Sequence, residues 1–194
     1  MIVLNLTGEL ESLIREISLT TPELCHIDPD RVLVCTSTGR TGGGGSYAKI
    51  HPLRFPGGER SMTTKRGRRN YLCTMPTIKH MGQEMLYVIY FMVPRFLTLS
   101  FREKLVTVFH ELYHISPAFD GDIRRFPGKN YAHGSSTRRY NAYMETLVHA
   151  YLERLSDRSH LSFLDGNLEE LRRRHAGIVA RRLKAPRISV TLAR

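Results

Sequence analysis

The stretch Glu84 to Val93, EMLYVIYFMV, constrains this chain more than any other. Met85 to Val93 are apolar without a break and rich in tyrosine, valine, isoleucine and phenylalanine, which is the composition of a central β-strand rather than a helix. Pro94 stops the run. Nine residues also fall short of the roughly 17–25 that a membrane-spanning helix needs, so no membrane association is expected. Two further strands are expected upstream. Arg31 to Thr36 (RVLVCT) closes at Ser37-Thr38-Gly39, and Ser46 to Phe55 (SYAKIHPLRF) follows the glycine run Gly42 to Gly45; the two could pair as a hairpin. The glycine run lacks the Gly-Lys-Ser/Thr ending of a phosphate-cradling loop, so it reads as a flexible turn with no nucleotide chemistry. A helix over Leu6 to Ser18 buries Leu10, Leu13, Ile14 and Ile17.

After the central strand the pattern turns helical. Ser100 and Glu103 have capping-box spacing, and Phe101, Leu105, Val108, Phe109 and Leu112 form an apolar stripe, which predicts a helix running to about Ile115. Within it lies His110-Glu111-Leu112-Tyr113-His114, an HExxH motif whose two histidines project from one face, one turn apart. Such a pair can grip a zinc ion, and Glu111 stands close enough to take a proton from water at the metal without ligating it. A catalytic zinc site needs a third protein ligand. Three residues compete: His133, just ahead of a second helix; Asp120, at the spacing one zincin group uses but with Pro117 where that group has glycine; and Glu145, on the second helix. That second helix starts near Ser135-Ser136 and runs to about Leu155, with Tyr140, Tyr143, Met144, Leu147, Val148, Tyr151 and Leu152 as its buried side. A third, from about Asn167 to Lys184, carries basic residues, and Ile188 to Leu192 reads as a last short strand.

The chain has 194 residues and a net charge of +11, a balance that favours polyanionic partners. Eight basic residues and no acidic one lie between Leu171 and Arg194, so the remaining 21 basic and 18 acidic residues leave +3 for residues 1–170. The organisation expected is one domain over 1–170 and a basic C-terminal helix or tail over 171–194. Nucleic acid is a candidate partner through Arg172, Arg173, Arg174, Arg181, Arg182 and Lys184. A second cluster, Lys65, Arg66, Arg68 and Arg69, reads as a loop between strands. Cys25, Cys35 and Cys73 form no CxxC pair, which excludes a cysteine zinc ribbon and suits buried thiols in a reducing compartment; a cytoplasmic location is expected. His149 reads as a hydrogen-bonded helix residue, and His26, His51, His80, His160 and His175 have no ligand spacing.

The run HELYHISPAFDGDIRRFPGKNYAHG resembles the signature of the phage-type metallopeptidase family, and HExxH with a later His-Gly before a helix is more distantly similar to the SprT-like zincins. The resemblance implies an α+β, zincin-like metallopeptidase domain: a small mixed sheet packed on an HExxH helix and a second long helix. It further implies His110, His114 and His133 as Zn2+ ligands, Glu111 as general base, and Asp120 as a group that holds a ligand or the loop. Peptide hydrolysis is the expected activity, with substrate lying as an extra strand along the sheet edge and Tyr131 or Tyr113 as a donor to the oxyanion. The alternative is a basic nucleic-acid-binding protein with a structural or non-catalytic metal site.

Overall fold

The computed structural model describes residues 2–38, 45–128, 131–134 and 136–193. The glycine turn, apart from Gly45, lies outside them. In chain order the elements are β1 (Val3–Asn5), α1 (Leu6–Thr20), β2 (Val32–Thr38), β3 (Ala48–Pro52), β4 (Ser61–Arg66), β5 (Arg69–Thr74), β6 (Lys79–His80), β7 (Gln83–Glu84), β8 (Tyr87–Val93), α2 (Phe101–Tyr113), α3 (Thr137–Arg154), α4 (Leu168–Arg174), β9 (Gly177–Val179) and β10 (Ser189–Leu192).

β8 is the central strand, parallel to β2 on one side and antiparallel to β3 on the other. The hairpin expected between β2 and β3 therefore does not form. The reason lies in the β8 sequence, whose apolar residues point to both faces and whose backbone groups on both edges need partners away from water. Tyr87, Ile89 and Phe91 join the main core with α1, α2 and α3, while Val88 and Tyr90 join a smaller cluster with Leu33, Cys35, Leu53 and Met85. β3 is left as the sheet edge. Its Ala48 and Ile50 are buried in the main core, and Lys49 and His51 alternate with them.

The basic cluster Lys65 to Arg69, expected as a loop, is the tip of the β4–β5 hairpin. The ladder runs from Ser61–Thr74 to Arg66–Arg69, and Gly67 turns it at φ +60°. Neither strand shows an alternating apolar pattern, because five of six residues in β4 and three of six in β5 are exposed. β10 adds to β5 as a third antiparallel strand.

The helices form largely as their caps dictate. Asn5 caps α1 by accepting from the Gly8 N–H. In α2 the Ser100 side chain accepts from Glu103 N–H and the Glu103 carboxylate accepts from Ser100 N–H, a complete capping box. Its Leu105, Val108, Phe109 and Leu112 are buried against α3, where the Phe109 and Tyr151 rings lie 5.6 Å apart. Lys104, on the same helix, is 1% exposed, and its ammonium donates to the carbonyls of Leu164 (2.7 Å) and Gly166 (2.6 Å). α3 follows its N-cap Ser136, and of its expected buried side Tyr143 is the exception, at 40% exposure.

The third helix is far shorter than the expected Asn167 to Lys184. α4 ends at Arg174, because Gly177-Ile178-Val179 favours extended backbone and pairs in parallel with β1. The position taken as a boundary, residue 170, falls inside α4. Beyond β9 the chain straps across the sheet: Arg181 O accepts from Thr36 N–H at 2.8 Å, and the Tyr90 hydroxyl donates to Lys184 O at 3.2 Å. Cys35 and Cys73 are buried free thiols and Cys25 is exposed. Among the described residues no helix is long and apolar enough to cross a membrane.

Candidate metal centre

α2 carries His110 on its last turn and is capped by His114, so the two imidazoles meet with their Nε2 atoms 3.0 Å apart. His133 arrives from the turn before α3 and sets its Nε2 3.2 Å from that of His110. All three histidines offer nitrogens within 4.8 Å of one another.

The route of the chain between His114 and His133 is fixed by buried contacts. Arg124 N–H donates to His114 O at 2.7 Å and Ile115 bridges Ile123, so the segment doubles back along the end of α2. The corner is at Gly121, with φ +90°. Arg54 N–H donates to Gly121 O, Gly121 N–H donates to the Tyr87 hydroxyl, and that hydroxyl donates to Asp122 O. A Cβ at Gly121 would lie 2.5 Å from Cγ of Arg54, a side chain locked against Glu84, so no other residue fits. Asp122 in turn pairs with Arg125. The turn holding His133 is anchored by Phe126 N–H donating to Tyr131 O.

Two adjacent residues on α3 brace the histidines, and the sequence reading missed both. Asn141 places its side-chain oxygen 3.1 Å from His110 Nδ1; as an acceptor it assigns the proton to Nδ1 and leaves the Nε2 lone pair facing the other rings. Tyr140 packs against all three rings, with centroids 4.8 to 5.3 Å away, and its hydroxyl donates to His110 O. A signal existed for Asn141, since a ligand histidine wants a partner on its second nitrogen and the helix after His133 was the place to seek one.

Burial sets the protonation states. Desolvation pulls His110 down to about 4, and desolvation together with the other two imidazoles pulls His114 down to about 3. His133 is lowered by the same desolvation. All three are neutral near pH 7, the form that ligates metal. Glu111 moves the other way. Its carboxyl is buried and is pushed up to about 7 by desolvation, which the Ile50 N–H and the Lys49 charge only partly offset. It lines, with the three histidines and Ala48 and Ile50 of β3, a cavity of about 370 Å³.

The donor set fits a divalent cation. Three neutral imidazoles bring ring nitrogens together, and the Nδ1–H of His110 leaves its Nε2 lone pair facing the other two. Tetrahedral zinc with bonds of about 2.05 Å would separate its ligand nitrogens by about 3.4 Å, close to the two distances seen. The other candidates lie elsewhere. Asp120 accepts from Asp122 N–H and packs beside Gly58. Glu145 pairs with Arg102 at the surface, and His149 pairs with Glu153, both exposed. Tyr131 and Tyr113, each with an arginine over its ring, do not line the cavity that holds Glu111.

Loss of the Asn141 acceptor should weaken metal binding. An Asn141→Ala variant is expected to bind zinc about 10- to 100-fold more weakly in competition with a chromophoric chelator, whereas Asn141→Asp keeps the acceptor and most of the affinity. Equal affinities for the alanine variant and the parent would show that Asn141 does not orient His110.

The sequence profile of a family described as "Putative phage metallopeptidase" matches residues 5–155, a span that contains all three histidines, Glu111, Tyr140 and Asn141. No curated protein and no solved structure matches the chain.

Proposed function

The chain belongs to the phage metallopeptidase family, and on that premise we propose that it is a zinc-dependent, zincin-like peptidase in which His110, His114 and His133 hold the metal and Glu111 is the general base. The observation that carries this reading is the convergence of three neutral imidazole nitrogens beside a buried carboxyl poised near neutrality.

A zinc ion at this site supplies Lewis acidity, lowering the pKa of water toward about 7 and polarising a carbonyl. The remaining work belongs to the chain. Glu111 accepts a proton from the attacking water and returns it to the leaving amine. Burial beneath β3 limits the access of bulk water to its carboxyl, and the Ile50 N–H fixes one carboxylate oxygen so that the other is free to act. Asn141 and Tyr140 hold the imidazoles in place, and the tyrosine stays protonated because burial raises its pKa. The edge position of β3 supports capture of an extended polypeptide as an added strand, with main-chain hydrogen bonds supplying affinity. The substrate is therefore a protein or peptide in extended form.

Elemental analysis of the purified protein should find about one zinc per chain. Cleavage of unfolded casein should stop when a chelator removes the metal and return when zinc is restored. A protein that takes up no zinc even when incubated with it would overturn the proposal.

A further inference from the structure

On the sheet face that carries Tyr90 and Met92, the C-terminal strap and the strands enclose a cleft of about 540 Å³. Lys49 and His51 of β3 stand on one side and Arg182 and Lys184 of the strap on the other, with Ser37 and Thr38 adding hydroxyls. Among the described residues three cations face this space and no carboxylate lines it. That imbalance is local. Arg181 is already engaged by Glu11 and by Val34 O, and Arg174 by the carbonyls of Ser162 and Asp165. Arg172 and Arg173 share their short helix with Glu169 and Glu170. Two of the C-terminal segment's basic residues, Arg182 and Lys184, thus meet Lys49 at the cleft, where low-dielectric walls strengthen their pull on anions.

We propose that this cleft binds the phosphodiester backbone of nucleic acid. The choice of backbone over base follows from its lining. Its aromatic ring, Tyr90, is 3% exposed, lies edge-on to His51 and has its hydroxyl tied to Lys184 O, so it offers no face on which a base could stack. Recognition by lysine, arginine and hydroxyl donors alone positions phosphates and carries no sequence information. The cleft opens on the sheet face opposite the histidine cluster, and the two share only Lys49, whose charge also acts on Glu111.

The test uses the full chain, zinc-loaded, and labelled 12-nucleotide DNA as single strand and duplex, followed by fluorescence anisotropy across a salt series. Three cations predict a slope of log K against log salt of about −2 to −3, and the pair Arg182→Ala, Lys184→Ala should flatten it by about 1.5 and cost at least about tenfold in affinity at 0.1 M salt. Both side chains are exposed, so zinc content and melting temperature should not change. Arg172→Ala with Arg173→Ala, outside the cleft, should cost less than threefold. Any of three results overturns the proposal: no binding by the parent, a Lys184/Arg182 variant within twofold of it, or a larger loss from the α4 pair. Displacement of DNA by polyglutamate at equal charge would also overturn it, assigning the cleft to acidic polypeptides instead.

Discussion

Glu111→Gln should keep its zinc and lose peptide hydrolysis by about 10³-fold, within the 10²- to 10⁴-fold range of a positioned general base. The same substitution should stabilise the metal-stripped protein, and only at high pH. In the folded chain the carboxyl titrates near 7, against 4.5 as its ordinary value, so between those limits the folded state holds a proton that the unfolded state has lost. The stability contributed by the protonated form is complete below about 4.5 and is lost as pH rises through 7. Glutamine, always neutral, escapes that loss. At pH 8 the variant should melt on the order of 5 °C above the parent, and near pH 4.5 the difference should vanish. The histidines act in the opposite sense, because their lowered values make stability fall as pH drops below 6.5, but they are common to both proteins and cancel in the comparison. Calorimetry at the two pH values separates the claims. An equal offset at both would refute the buried-carboxyl argument, whereas full proteolysis by the glutamine variant would remove Glu111 from the mechanism.

His133→Ala should empty the site while Asp120→Asn leaves it filled. If a zinc site of roughly 10 kcal/mol is shared among three protein ligands, one imidazole carries about 3 kcal/mol, a factor of about 10² in affinity. Zinc in the alanine variant should fall below about 0.1 per chain after dialysis against a weak chelator, and stay near one in the asparagine variant. Asp120 spends its carboxylate on the Asp122 N–H, an acceptor that asparagine keeps, so the loop should hold and the metal should stay. The reverse pattern would place the third ligand on Asp120.

The sequence was most informative where one local pattern decides one local structure. Ser100 with Glu103 set the start of α2, and the one-turn separation of His110 and His114 put both rings on one face. It was least informative about partners. Composition rich in β-branched and aromatic residues identifies β2, β3 and β8 as strands but says nothing of their order, which depends on where the most apolar strand finds cover on both faces and both edges. His133 could not be separated from Asp120 and Glu145 by spacing, because its approach depends on Gly121 closing against Arg54 and on the Tyr87 hydroxyl buried beneath it. The third helix failed for a similar reason. A run of arginines and apolar residues reads as helical until β1 is known to offer Gly177–Val179 an edge.

Lys104 bears on where this protein begins and ends as an energetic unit. The family match stops at residue 155, yet six residues before His110 an ammonium is held in the core by two carbonyls contributed by residues 164 and 166. Desolvation already lowers its proton affinity, so without those carbonyls it would have to discharge or draw water into the packing around Leu105, Val108 and Leu164. The helix that presents the histidines and the segment around Leu164 therefore open together, as one cooperative foldon, and any partner or protease that pried the C-terminal segment loose would loosen the histidine cluster in the same event.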